Sequence, residues 1–451
     1  MLGELTKIYK KRDKDKQFHI NPPVIIGQLG LIMMGVVDSL MVGELGAEYL
    51  AAAAISNHIV ILILIVAIGV SMAVTPLIAI SIGAGRLNEA QILFKQSLIV
   101  NICFGITVTI LIVIASELIQ YLDQPPLVVK YASSYTKVVA VSIIPWMIYQ
   151  SYKQFVEGLS VTHPPMIVTI VANIVNAIVN WILIYGNLGF PKLNLDGAGI
   201  ATTLSRIFMM IALILYVNNA YRFKIYDVKP VVKKIDLTKI KKILRLGLPS
   251  GFQYFFEVGA FSFAVLMVGW LGAKPLAAHQ IAINLASISF MAVTGIAAAG
   301  SIRVGNAVGK ADISETRKAG LSAVLLGISI MFCSGVIFIF FRFQLAELYI
   351  SDFEVITITS RLLIIAAIFQ VFDGTQAVGI GILRGLTDVK YPTIITFTAY
   401  WVISLPIGYI LGFTFELGVQ GIWIGLLIGL MCSAIMLSLR FNFKSKHRII
   451  T

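Results

Sequence analysis

Apolar residues run along this chain in stretches of about twenty, the length an α-helix needs to cross the hydrocarbon core of a bilayer. Such runs fall near 23–43, 51–80, 92–116, 130–157, 164–186, 197–219, 243–270, 277–304, 318–341, 355–382, 391–413 and 417–440. Turn residues mark the connections between them: Gly43 to Gly46, Pro125 and Pro126, Pro164 and Pro165, Gly186 to Gly189, and Gly385 with Pro392. The longest polar interruption, at 220–242, divides the runs six and six. The pattern predicts an all-α polytopic membrane protein with twelve transmembrane helices in two six-helix lobes. A tail at 1–22, an N-lobe at 23–219, a linker at 220–242, a C-lobe at 243–440 and a second tail at 441–451 make up the chain.

Composition agrees with a lipid environment. Of 451 residues, 58% are hydrophobic and only 13% are charged, about half the charged share of a soluble domain. With a mean hydropathy of +0.91, most side chains must face lipid or other apolar helices. Cys103, Cys333 and Cys432 each lie inside an apolar run without metal or redox spacing, so reduced packed side chains are expected. The first apolar run follows a Lys-rich start and continues at full span length, so no cleavable signal is predicted.

The net charge of +13 does not indicate nucleic acid, because the basic residues sit in the short segments between apolar runs. One set of connections and tails carries Lys7, Lys10, Lys11, Arg12, Lys14, Lys16, Arg86, Lys95, Lys310, Arg317, Lys318, Arg384, Lys390, Lys444, Lys446 and Arg448. The linker adds Arg222, Lys224, Lys229, Lys233, Lys234, Lys239, Lys241 and Lys242. The opposite connections carry Glu44, Glu48, Glu117, Asp123, Asp196, Glu347, Asp352, Glu354 and Glu416. By the positive-inside rule both termini and the linker are expected in the cytoplasm, in a plasma (inner) membrane.

The halves resemble each other when the second is slid back by about 226 positions. Leu40-Met41-Val42-Gly43 matches Leu266-Met267-Val268-Gly269, and Leu50-Ala51-Ala52 matches Leu276-Ala277-Ala278. Gly158-Leu159-Ser160 falls against Gly385-Leu386-Thr387, and Pro165 against Pro392. Six spans per copy give both the same orientation, so the repeats are parallel, related by an axis along the membrane normal, with a cavity between lobes.

Inside the spans, charge is expected at Asp38, Arg206, Glu257 and Asp373 alone. Each would cost on the order of 2.5–3.5 kcal/mol at a helix centre facing lipid, so each should face a cavity or a partner. Glu257 and Asp373 fall near the midplane and Asp38 in the outer part of its helix. A buried carboxylate is relieved by protonation or by a bound cation, and switching between these couples ion movement to substrate movement. Asn173, Asn176 and Asn180 recur on one face of the fifth span. With Asp38 and Thr202 they offer oxygen ligands for a small hard cation, although glue between helices is the commoner role for such a stripe. His58, His163 and His279 have no metal-ligand spacing and are expected to pack. Gly305 to Lys310 lacks the spacing of a phosphate loop, and Gly379, Gly381 and Gly385 end a membrane helix, where they allow close packing.

The segments VVDSLMVGELG with Asp38, PSGFQYFFEVGAF with Glu257, and FDGTQAVGIGILRGLTDVKYP with Asp373 and Pro392 are together similar to the multidrug and toxic compound extrusion (MATE) family, NorM-type branch. The likeness runs from about 20 to 440 and includes NIVNAIVNWILIYG and LDGAGIATTLSR. It implies a V-shaped exporter of small-molecule organic cations by alternating access, driven by Na⁺ or H⁺, monomeric, with no cofactor and no enzymatic activity. By position it implies a C-lobe cation-coupling site at Glu257 and Asp373 and an N-lobe cation or substrate site at Asp38, Asn176, Asn180 and Thr202. Na⁺ would then bind at Glu257 and Asp373, or at Asp38, Asn176 and Asn180. Phe369 stands where some relatives carry a tyrosine, which removes one oxygen ligand, and Asn180 stands where archaeal-type members carry an aspartate. Both departures leave the coupling ion open. The alternative within the superfamily is a lipid-linked oligosaccharide flippase, which would expose basic residues to its cavity. A membrane-embedded hydrolase or acyltransferase would need a nucleophile or metal set, and none is legible.

Overall fold

The computed structural model describes residues 22–122, 124–226 and 235–447. Lys7, Lys10, Lys11, Arg12, Lys14, Lys16, Asp123, Lys229, Lys233, Lys234 and Arg448 lie outside the described residues. The described residues lie almost entirely in helices, because in hydrocarbon every backbone N–H and C=O must find its partner within the segment itself. The spans are α1 (Pro22–Gly43), α2 (Ala47–Gly83), α3 (Leu87–Leu118), α5 (His163–Tyr185) and α6 (Asn194–Asn219). Between α3 and α5, α4 is a pair, Pro126–Val141 and Ile143–Gly158, bent by 40° at Ser142. The second half contains α7 (Leu237–Gly269), α8 (Ala273–Gly309), α9 (Ile313–Phe340), α10 (Phe353–Gly385), α11 (Lys390–Thr414) and α12 (Gly418–His447). Asp236, Asp312 and Asp352 cap α7, α9 and α10 by accepting hydrogen bonds from first-turn N–H groups.

The repeat read from sequence is present in the backbone. Left-handed or positive-φ residues recur at matching places: Gly46 (φ 122°) and Gly272 (φ 112°), Gly85 (φ 71°) and Ala311 (φ 56°), Ser160 (φ 58°) and Thr387 (φ 58°). The packing repeats too. Within the N-lobe α1 packs on α5, α2 on α4, and α4 on α6; within the C-lobe α7 packs on α11, α8 on α10, and α10 on α12. Between lobes α1 meets α8 and, reciprocally, α7 meets α2, while α2 and α8 meet each other.

Among the described residues the lobes pack together toward one end. One buried cluster around Tyr135, Ile143 and Ile184 is made by the N-lobe alone, and one around Ala260, Leu362 and Trp423 by the C-lobe alone. Two further clusters are shared: Ile243, Leu246 and Val389 sit among N-lobe side chains, and Ile80 sits among C-lobe ones. These shared residues lie near the linker. There the helices approach so closely that a Cβ on Gly69 would meet the Gly251 Cα at 2.3 Å, one on Gly83 the Asn306 carbonyl oxygen at 2.1 Å, and one on Gly295 the Ile25 Cα at 2.8 Å. Only glycine permits these crossings. The result is a V closed at the linker end and open at the opposite one. Gly305 and Gly309, the phosphate-loop lookalike, are contact points with α2, and Gly381 and Gly385 seat α10 against α8.

Candidate functional site

Asp38 is held by donors from two neighbouring helices. Its Oδ1 accepts from Asn180 Nδ2 at 2.6 Å and its Oδ2 from Thr202 Oγ1 at 2.9 Å, and Asn180 Nδ2 also reaches Asn176 Oδ1 at 3.2 Å. The i, i+4 spacing on α5 brings Asn176 and Asn180 to the same carboxylate. Asn173, one turn further along, instead donates to the Gly30 carbonyl at 2.8 Å and ties α5 to α1. Arg206, one turn beyond Thr202 on α6, places its charge where it acts on Asp38, donates from Nη1 to Ser142 Oγ at 2.6 Å and lies 5.8 Å from the Trp146 ring centre. All four N-lobe residues named from sequence are therefore together, around a carboxylate already supplied with hydrogen bonds and a nearby counter-charge.

The C-lobe acids are placed differently. Glu257 and Asp373 lie within about a turn of the middle of α7 and α10, and both are buried. The charge of Glu257 acts on Asp373. Gln376, three residues after Asp373, donates from Nε2 to Glu257 Oε1 at 3.3 Å and to Tyr400 Oη at 2.9 Å. Asp373 accepts no hydrogen bond among the described residues.

Tyr400 enters from the π-helical stretch Thr398–Ser404 of α11, a geometry frequent at functional sites because it turns side chains out of the α-helical register. In place of a tyrosine at Phe369, a phenol from a different helix joins the network through Gln376, with no hydrogen bond to either acid among the described residues. No spacing rule within α10 could have revealed it. Trp401 Nε1 donates to the Phe256 carbonyl at 3.0 Å, which fixes α11 beside the Glu257 turn of α7.

Charge inside the spans is more extensive than the sequence reading allowed. Lys153 and Glu157 of α4 are buried, with Nζ 3.9 Å from Oε1, and Arg384, expected among the topogenic charges, is buried at the linker end of α10. The i, i+4 spacing of an acid and a base in an apolar run was the available signal for the first pair. For Arg384 there was none, since a basic residue ending a span ordinarily reaches the interface. The intramembrane charges are thus close to balanced, not mainly acidic as the sequence suggested. His279 packs as expected, its Nδ1 accepting from Trp423 Nε1 at 3.0 Å.

Two six-helix lobes in parallel repeat, joined at one end and carrying buried polar sites in each, define a two-lobe membrane transporter rather than an enzyme. The sequence profile of the MatE family matches residues 23–182 and 249–410, and the chain belongs to that family. The multidrug resistance protein NorM of Photobacterium profundum is 31% identical over 425 residues, 93% of each chain. NorM of Aliivibrio fischeri is 33% identical, covering 95% of this chain and 94% of that one. The multidrug resistance protein MdtK of Yersinia pseudotuberculosis serotype O:1b is 33% identical over 94% of both. Among solved structures, the eukaryotic MATE transporter AtDTX14 superimposes with a TM-score of 0.85 at 20% identity over 97% of this chain and 99% of that one. An outward-facing multidrug resistance MATE family transporter gives 0.86 at 23% identity over 94% and 95%.

Proposed function

We propose that this chain is a monomeric antiporter that exports organic cations and drugs across the inner membrane in exchange for a monovalent cation, Na⁺ or H⁺, bound at Glu257 and Asp373. The observation that carries the choice of site is the state of Asp373: buried, close to a second carboxylate, and without a hydrogen-bond donor among the described residues. Two ionised acids so placed repel each other and are desolvated, so a cation or a proton relieves them. Asp38 differs in having donors on both oxygens and the charge of Arg206 acting on it. The names of the relatives support a multidrug cargo, and generic apolar walls with a few acids suit one.

Residues at the linker end include Arg86, Lys310, Arg317, Lys318 and Lys390, which argues for a cytoplasmic apex and an outward-open cleft. Transport then proceeds by rocking the lobes, with ion and substrate occupying the cavity in turn. The deciding experiment is efflux of a fluorescent organic cation from proteoliposomes under an imposed Na⁺ gradient alone and a pH gradient alone. Asp373→Asn is expected to abolish ion-driven efflux with membrane insertion retained, and Glu257→Gln to weaken it. Loss of coupling in Asp38→Asn with both C-lobe variants active would move the site to Asp38, Asn176, Asn180 and Thr202. Translocation of lipid-linked sugar without organic-cation efflux would instead support the flippase reading.

A further inference from the structure

Six formally charged side chains are buried to nine-tenths or more within the described spans: Asp38, Lys153, Glu157, Glu257, Asp373 and Arg384. Four charges in the N-lobe cancel. Lys153 lies beside Glu157, and the charge of Arg206, itself only partly buried, acts on Asp38. In the C-lobe two carboxylates face one guanidinium, because Arg303 of α8, also partly buried, is not among the charges that act on Glu257 or Asp373.

Arg384 is built into the same interior as the acids. It follows Asp373 by eleven positions on α10, about three full turns, so both occupy one face, and helical side chains lean back toward the N-terminus, here toward Asp373. The guanidinium lies 5.5 Å from the centre of the Tyr254 ring, and Tyr254 precedes Glu257 by one turn on α7. Its charge acts on Glu257. It has no salt-bridge partner among the described residues, and its Nε and Nη2 atoms are buried without hydrogen-bond partners. The acid nearest in sequence, Asp388, is engaged by Arg440 at 2.7 Å.

We propose that Arg384 is a fixed internal counter-charge to the Glu257–Asp373 pair that sets the exchange at one monovalent cation per cycle, so that export of a monovalent organic cation is electroneutral. This rests on the reading that those two acids bind the coupling ion. A guanidinium stays charged under all working conditions, and an uncompensated charge in an apolar interior is costly. With both acids ionised, the C-lobe interior carries one net negative charge. One bound ion, or one organic cation in its place, neutralises it. Two ions would leave an excess positive charge, and none would leave an excess negative one. The same count makes ion and monovalent substrate exchange one for one. Arg384 acts through the acids and is therefore a positioning residue; it is not itself an ion ligand.

The test is the gradient of ethidium, a fixed monocation, sustained at equilibrium by purified protein in liposomes under an imposed gradient of the driving ion, with membrane potential clamped by K⁺ and valinomycin. A tenfold ion gradient should sustain about a tenfold ethidium gradient, insensitive to the clamped potential, where two ions would sustain about a hundredfold at zero potential. Arg384→Gln leaves two uncompensated carboxylates, so its ethidium gradient should follow the square of the ion ratio and respond to potential. Arg384→Lys should restore the wild-type dependence. A second-power or voltage-driven gradient in the wild type overturns the proposal, as does an unchanged first-power dependence in Arg384→Gln. The wild-type measurement decides even if Arg384→Gln does not insert. If Glu257→Gln and Asp373→Asn both keep ion-driven transport, the site reading itself has failed; if they lose it while the wild type follows the second power, only the stoichiometry is wrong.

Discussion

At the scale of single residues, the two lobes answer the same problem in opposite ways. Asp38 is satisfied by Asn180 and Thr202, so truncating a donor should be felt as lost stability. Asn180→Ala is expected to lower thermal stability in detergent by about 1–3 kcal/mol, the usual cost of stripping a buried charged group of a hydrogen bond, while leaving ion-driven efflux measurable. Gln376 instead joins Glu257 to Tyr400. Gln376→Leu frees both, and the concentration of driving ion needed for half-maximal efflux should shift by about tenfold or more, the equivalent of one such bond to a charged group. An unchanged ion dependence in that variant would remove Gln376 from the site. Sequence alone made Asp38, Glu257 and Asp373 legible because a charge in an apolar run is conspicuous. Tyr400 and Gln376 were not, since neither is unusual in a membrane helix until its neighbours are known.

At the scale of elements, the crossings of α2 with α7 and α8 decide which end of the cleft is closed. A Cβ on Gly69 has backbone in its way, at 2.3 Å from the Gly251 Cα. Gly69→Ala should therefore hold the linker end apart and favour the opposite-facing state by at least about fivefold, taking about 1 kcal/mol as the lower range for overpacking. The measurement is thiol labelling of Leu246→Cys, a position buried among N-lobe side chains, in a background without Cys103, Cys333 and Cys432. Faster labelling from the linker side in Gly69→Ala is expected, and equal rates would mean the crossing tolerates the methyl group. Glycine-rich runs were visible in the sequence as packing stripes. Their partners were not, because a contact between lobes joins residues more than a hundred positions apart.

At the scale of the whole molecule, polar contacts reinforce the closed end. Glu89 at the start of α3 receives Lys239 Nζ at 2.6 Å and Lys242 Nζ at 3.5 Å from the start of α7, and Gln96 Oε1 accepts from the Asp236 N–H at 3.2 Å. Glu89 remains partly exposed, so Glu89→Gln should weaken the closed end by no more than about 1 kcal/mol. Raised accessibility of Leu246→Cys, with the effect of the substitution shrinking at high salt, is the expected signature. For topology, single cysteines at Gly85 and at Asp352 should be labelled from opposite faces of the membrane, the first from the cytoplasm. Labelling of both from one face would break the six-plus-six arrangement.

The sequence by itself determined how many times the chain can cross a bilayer, where it turns, that its halves repeat, and which acids cannot face lipid. Those properties are local or periodic: hydrophobic run length, glycine and proline placement, and charge in an apolar context act within one helix or recur at a constant offset. Tertiary structure decided which charges cancel. Arg384 lies near the end of a span, where a basic side chain can reach water, and the tertiary packing keeps it inside, over the Tyr254 ring of α7 and within the field of Glu257. Whether a carboxylate has donors on both oxygens, as Asp38 does, or none among the described residues, as with Asp373, depends on the rotation and depth of neighbouring helices, and those are set by contacts between distant parts of the chain.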